Sequence, residues 1–123
     1  MSGLTRALAL AFLLAVGVLF TSTSEAARSS FDGTWSVTAT TTSGSCDPSF
    51  RFPIQVEGGR VVSRDISGVS GRVSPRGIVQ VTVNQGDRSV YGSGRLSRNV
   101  GAGRWVARAP SGGCTGVWQA QRT

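Results

Sequence analysis

From Thr34 to Thr40 the chain reads T-W-S-V-T-A-T, placing Trp35, Val37 and Ala39 on one side of an extended backbone and four hydroxyl-bearing residues on the other. A strand with one buried face requires this two-residue period, and a helix cannot use it. The pattern returns in "FRFPIQV", where Phe50, Phe52, Ile54 and Val56 share a face. Pro53 falls on the opposite face, and because proline cannot donate to a ladder it points to an edge or a bulge. Short apolar-alternating runs follow in "RVVSRDI", "SGVSGRV", "IVQVTVN", "RSVYGSGRLS", "RWVARA" and "CTGVWQAQR". The turn signals between them are "EGG", "SPRG", "QGD", "RNVGAG" and "PSGG". About eight short strands at this spacing, with no helical period of useful length, define an all-β barrel or sandwich.

A faint internal repeat narrows the choice. "SGRVSPRGIVQV" (Ser70 to Val81) and "SGRLSRNVGAGRWVA" (Ser93 to Ala107) share Ser-Gly-Arg-apolar-Ser, a turn and Gly-x-apolar, about one hairpin apart. Repeated hairpins suit a meander better than a Greek key, so the expected fold is a small antiparallel up-and-down β-barrel.

The N-terminus fixes the compartment expected for this barrel. Arg6 precedes an apolar run, Ala7 to Phe20, and small residues follow in "TSTSEAA", the layout of a secretory signal peptide. The run is shorter than the roughly 20 residues a spanning helix needs, and no second one occurs, so no membrane span is expected. Cleavage after Ala26 or Ala27 leaves a lead over residues 27–33 and one barrel domain over 34–123, periplasmic or secreted. Oxidising compartments favour disulfides, and Cys46 and Cys114 lack the C-x-x-C spacing of a redox pair. They are therefore expected to form one bridge. In a closed eight-stranded meander the first and last strands pair antiparallel, so Cys46 after the first and Cys114 at the start of the last would staple the seam at one mouth.

The chemical inventory is restrictive. The chain has no histidine and, of its 13 basic residues, no lysine. This leaves no Ser-His-Asp or Cys-His arrangement, no histidine general base and no usual zinc site. Of the five acids beyond the signal (Asp32, Asp47, Glu57, Asp65 and Asp87), Asp32, Asp47, Glu57 and Asp87 lie near glycine, proline or turns, where acids are ordinary turn and solubility residues, and an enzyme is not expected. "GSGRLS" and "GVSGRV" precede no helix, so they lack the amide cradle of a phosphate loop.

Two groups of residues are candidates for binding. Trp35, Trp105 and Trp118 share inward faces with Val37, Ala107, Ala120, Gly92, Gly94, Gly103 and Gly116. Large beside small lets a tight barrel fill its interior, and the same tryptophans could line the site of a small apolar ligand. The second group rests on the net charge of +7. If the "RNVGAG" turn pairs Leu96 with Trp105, then Arg95, Arg104 and Arg108 lie on the outer face of one hairpin with Arg98 at its tip. That face could grip an anionic envelope polysaccharide or lipid. Nucleic acid is not expected, because interleaved surface aromatics are scarce.

"FDGTWSV" together with "CTGVWQAQR" resembles a group of small exported alphaproteobacterial proteins, mostly uncharacterised, with F-x-G-x-W-x-V, a cysteine and a closing C-x-G-x-W strand. Some of that group are labelled as relatives of exoproteins for haem utilisation or adhesion. Here the only ordinary side-chain haem ligands are Tyr91 and Met1, the latter leaving with the signal, so no cofactor is expected. Gly33-Thr34-Trp35 also resembles the G-x-W of lipocalins and avidins, and Arg122 is similar to the late lipocalin arginine that caps the barrel. A further likeness is to periplasmic metalloprotease inhibitors. The expectation is thus a monomeric, non-enzymatic exported binding or envelope-associated barrel. The alternative is a protease inhibitor using the lead from Arg28 to Asp32 or the disulfide loop.

Overall fold

The computed structural model describes residues 30–123; the expected signal peptide and the first residues of the expected lead lie outside them. Eight strands follow in order: β1 (Gly33–Ser43), β2 (Ser49–Glu57), β3 (Arg60–Val62), β4 (Val69–Val73), β5 (Ile78–Gln85), β6 (Arg88–Ser97), β7 (Val100–Ala109) and β8 (Gly112–Arg122). Each pairs antiparallel with the next, and β8 returns to β1, closing an up-and-down barrel. Closure leaves the long strands no free edge on which to aggregate.

The two-residue period sorts the side chains as the sequence implies. Trp35, Val37 and Ala39 of β1 and Cys114, Trp118 and Ala120 of β8 are buried, while their alternates are exposed or half-buried. Trp35 and Val56 are the largest wholly buried side chains. Complete burial of an aliphatic such as Val56 contributes about 2 kcal/mol. The described interior contains no buried polar or charged residue, whereas Arg51, Arg72, Arg95, Arg104, Gln119 and Gln121 are exposed. Apolar inside and polar outside is the reverse of the pattern of a transmembrane barrel.

The two ends differ. At one, Phe31 is buried and the Trp35 indole Nε1–H donates to its carbonyl at 2.9 Å. The Asp32 carboxylate accepts from the backbone N–H groups of Gly58 (2.8 Å) and Gly59 (3.2 Å), tying the lead to the β2–β3 turn. Arg122 fastens the same end. Its Nε donates to Asn99 Oδ1 at 3.0 Å, Nη1 to the Asp32 carbonyl at 2.7 Å, and Nη2 to the carbonyls of Ser30 and Arg98, each at 2.9 Å. At the other end the Cys46–Cys114 disulfide joins the turn after β1 to the start of β8. A register shift between Thr41 and Ser43 lies just before this turn, which brings Cys46 beside Cys114.

Two sequence expectations need correction. The turn between β6 and β7 is only Arg98-Asn99, not "RNVGAG"; Leu96 pairs with Gly101, and Trp105 pairs with Gly92. The glycines of Val100-Gly101-Ala102-Gly103 belong to a strand because their lack of side chains makes room for Trp118 and Leu96. The third strand stops at Val62 instead of continuing through "SRDI", and only Arg60↔Arg72 links β3 to β4. Extending β3 with the phase of Val61 would turn Ser63 and Asp65 inward, where they would meet an apolar core. Pro53 has no strand opposite it on the β3 side, because that ladder begins at Gln55, so its position is a local edge.

Candidate functional site

The three tryptophans define the interior, and glycines define where they fit. Trp118 of β8 crosses the inner surface of β7 and donates its indole N–H to the Ser93 carbonyl of β6 at 3.1 Å. It can do so because Gly94 and Gly103 lie beneath the ring; a Cβ at either would come within 2.5 to 2.6 Å of it. Trp105 lies in the same way over Gly116, 2.6 Å from where a Cβ would stand, and donates to the Val117 carbonyl at 3.1 Å. All three indole N–H groups therefore bond to backbone carbonyls, which leaves the rings to present apolar faces.

Those faces line a cavity of about 600 Å³. Trp35, Val56, Val61, Val73 and Leu96 lie around its inner end, where the lead and Arg122 close the barrel. Phe52, Ile54, Val81, Val90 and Ala107 form its walls. The Phe50 ring approaches Trp105 to 6.1 Å between centroids although their strands are separated by β1 and β8, so the pair narrows the lumen. At the disulfide end the lining includes Ser45, Cys46, Asp47, Gln85, Arg88, Arg108 and Ser111, which belong to turns and strand ends. The cavity thus opens beside the Cys46–Cys114 bridge. Small-molecule sites are commonly concave, mostly apolar and about 300–1,000 Å³, with a few polar groups at defined places.

The expected arginine group lies on the outer face of the β6–β7 hairpin, with Arg98 in its turn. Arg95 and Arg104 face outward as diagonal neighbours, since Arg95 pairs with Ala102 and Arg104 with Ser93. Arg108 stands four residues beyond Arg104 at the open rim, and Arg98 lies in the turn at the closed end. Arg51, Arg60 and Arg72 also face outward on β2, β3 and β4, so exposed positive charge surrounds the barrel instead of marking one hairpin. Tyr91 points outward and is 50% exposed, away from the lumen. Asp47 is the one acid bordering the cavity.

Sequence reasoning missed Arg88. It lies in "QGDRSV", beside a turn, but it has the same phase as Val90, Gly92 and Leu96, which face the lumen. That phase was the available signal. A scan against protein families, a search of curated proteins and a search of solved structures each find no match to this chain.

Proposed function

We propose that this protein is an exported, non-enzymatic binding module that takes a small apolar ligand into the lumen of its barrel. The observation that carries this reading is the apolar cavity of about 600 Å³, closed by Trp35 at one end and open beside the disulfide at the other. Such a volume within a small domain forgoes packing contacts that a filled core would make, which makes an internal void unfavourable unless it is used. The disulfide is consistent with an oxidising compartment outside the cytoplasm.

Trp105 and Trp118 border the lumen and provide an intrinsic reporter. Titrating the oxidised mature protein with an environment-sensitive apolar dye should give saturable dye emission, with tryptophan quenching at the same midpoint. Ala107→Trp, which fills the lumen near the mouth, should abolish both while leaving the far-ultraviolet circular dichroism unchanged. Dye binding that persists in this variant would place the apolar site elsewhere and overturn the reading.

A further inference from the structure

The rim of the cavity differs chemically from its walls. Arg88 ends the inward-facing row of β6, whereas Arg108 pairs with Ser89 and keeps the outward phase of Arg104; both stand at strand ends and border the opening, one from the inner and one from the outer side of the rim. Among the described residues neither guanidinium has a hydrogen-bond or ion-pair partner; the one ion pair found there joins Arg64 to Glu57 on the outside. Asp87, next to Arg88 in the turn, does not border the cavity. The charged residues bordering the opening are therefore Arg88, Arg108 and Asp47, a local balance of one positive charge. Below them the described interior contains no buried polar or charged residue.

We propose that the occupant is a single-chain amphiphile with a monoanionic head, its carboxylate or equivalent held at the rim by Arg88 and Arg108 and its chain descending toward Trp35. This inference rests on the lumen being a binding site and adds the chemical class of what it binds. A guanidinium fork matches a carboxylate with two parallel hydrogen bonds. The single net charge of the opening is balanced by one negative charge, whereas a dianionic phosphate monoester would leave an excess. The chain exchanges water for the apolar wall, so each methylene should strengthen binding about fourfold.

The test compares dodecanoate with dodecan-1-ol, and decanoate with dodecanoate, by displacement of the apolar dye from the oxidised mature protein below micelle-forming concentrations. The native protein should bind dodecanoate at least tenfold more tightly than the alcohol, and about fifteenfold more tightly than decanoate. In R88Q/R108Q the carboxylate and alcohol affinities should converge while that for the alcohol stays within twofold. In R95Q/R104Q, which removes the same charge from the outer face, the preference should persist. Equal native affinities for acid and alcohol, or a preference that survives R88Q/R108Q, would overturn the assignment of the head group and leave the apolar cavity standing. Failure of every chain compound to displace the dye would overturn both.

Discussion

The guanidinium of Arg122 lies 4.7 Å from the centroid of the Trp35 ring, while its nitrogens bond to four acceptors on two separate stretches of chain. The last strand thereby holds the lead and the β6–β7 turn against the base of the barrel. Bonds to a charged group and a partly desolvated cation–π contact make Arg122→Ala expected to cost about 3 kcal/mol. For a domain this size the melting temperature should fall by roughly 15 °C. Arg122→Lys keeps the charge but not the planar fork, and should recover less than half of the loss. A thermal scan with Arg122→Ala within two degrees of native would refute this role.

The inner glycines are expected to separate into two kinds. A Cβ at Gly103 would collide with both the Ser93 carbonyl and the Trp118 ring, and neither can move without breaking the bond between them. Gly103→Ala should therefore destabilise by about 3 kcal/mol and shift tryptophan emission to the red as the ring is displaced. At Gly92 the nearest atom to an added Cβ is the Arg104 carbonyl oxygen at 3.9 Å. Gly92→Ala should be neutral, or stabilise by up to about 1 kcal/mol through the unfolded chain. Chemical denaturation of the two variants side by side decides the matter, and equal midpoints would contradict it.

The bridge between Cys46 and Cys114 closes a loop across 68 positions of sequence. Loop-closure entropy makes its contribution about 4 kcal/mol, large for a domain of this size. Cys46→Ser, Cys114→Ser and the double variant should lose stability by similar amounts, because either single change already removes the bond. Loss in the double variant equal to the sum of the singles would mean that the cysteines are not partners in solution.

The legibility of the fold follows the strength of its period. β1, β2, β5 and β8 alternate bulky apolar with polar residues, so face and pairing can be read directly from positions such as Trp35, Val81 and Trp118. The glycine-rich start of β7 resembled a turn because a slot for a ring has no side chain to betray its face. Gly101 and Gly103 nevertheless keep the phase of Trp105 and Ala107. The tryptophans of the site were legible for the same reason as the strands. The size of the lumen was not, because it depends on strand tilt and on which rings lie flat against the wall.

The shortest ladder in the wall is that of β3 with β4, the single pair Arg60↔Arg72, beside which the Val73 N–H donates to the Gly59 carbonyl at 2.7 Å. Both arginines are exposed, and like charges directly opposite on a sheet repel. Arg60 already has an acid across from it on β2, in Glu57, but Arg72 faces Gln80 on its other side. Arg72→Glu converts the repelling pair to an attracting one and should stabilise by about 0.5 kcal/mol, raising the melting temperature by roughly 2–4 °C at low salt. The gain should shrink in 1 M salt, where screening is short-ranged. Amide hydrogen exchange provides a second reading: the segment from Ser63 to Gly68, which belongs to no strand, should exchange before any of β6, β7 or β8. Slow exchange in that segment, or a lower melting temperature for Arg72→Glu, would show that the β3–β4 junction is held by something other than its ladder.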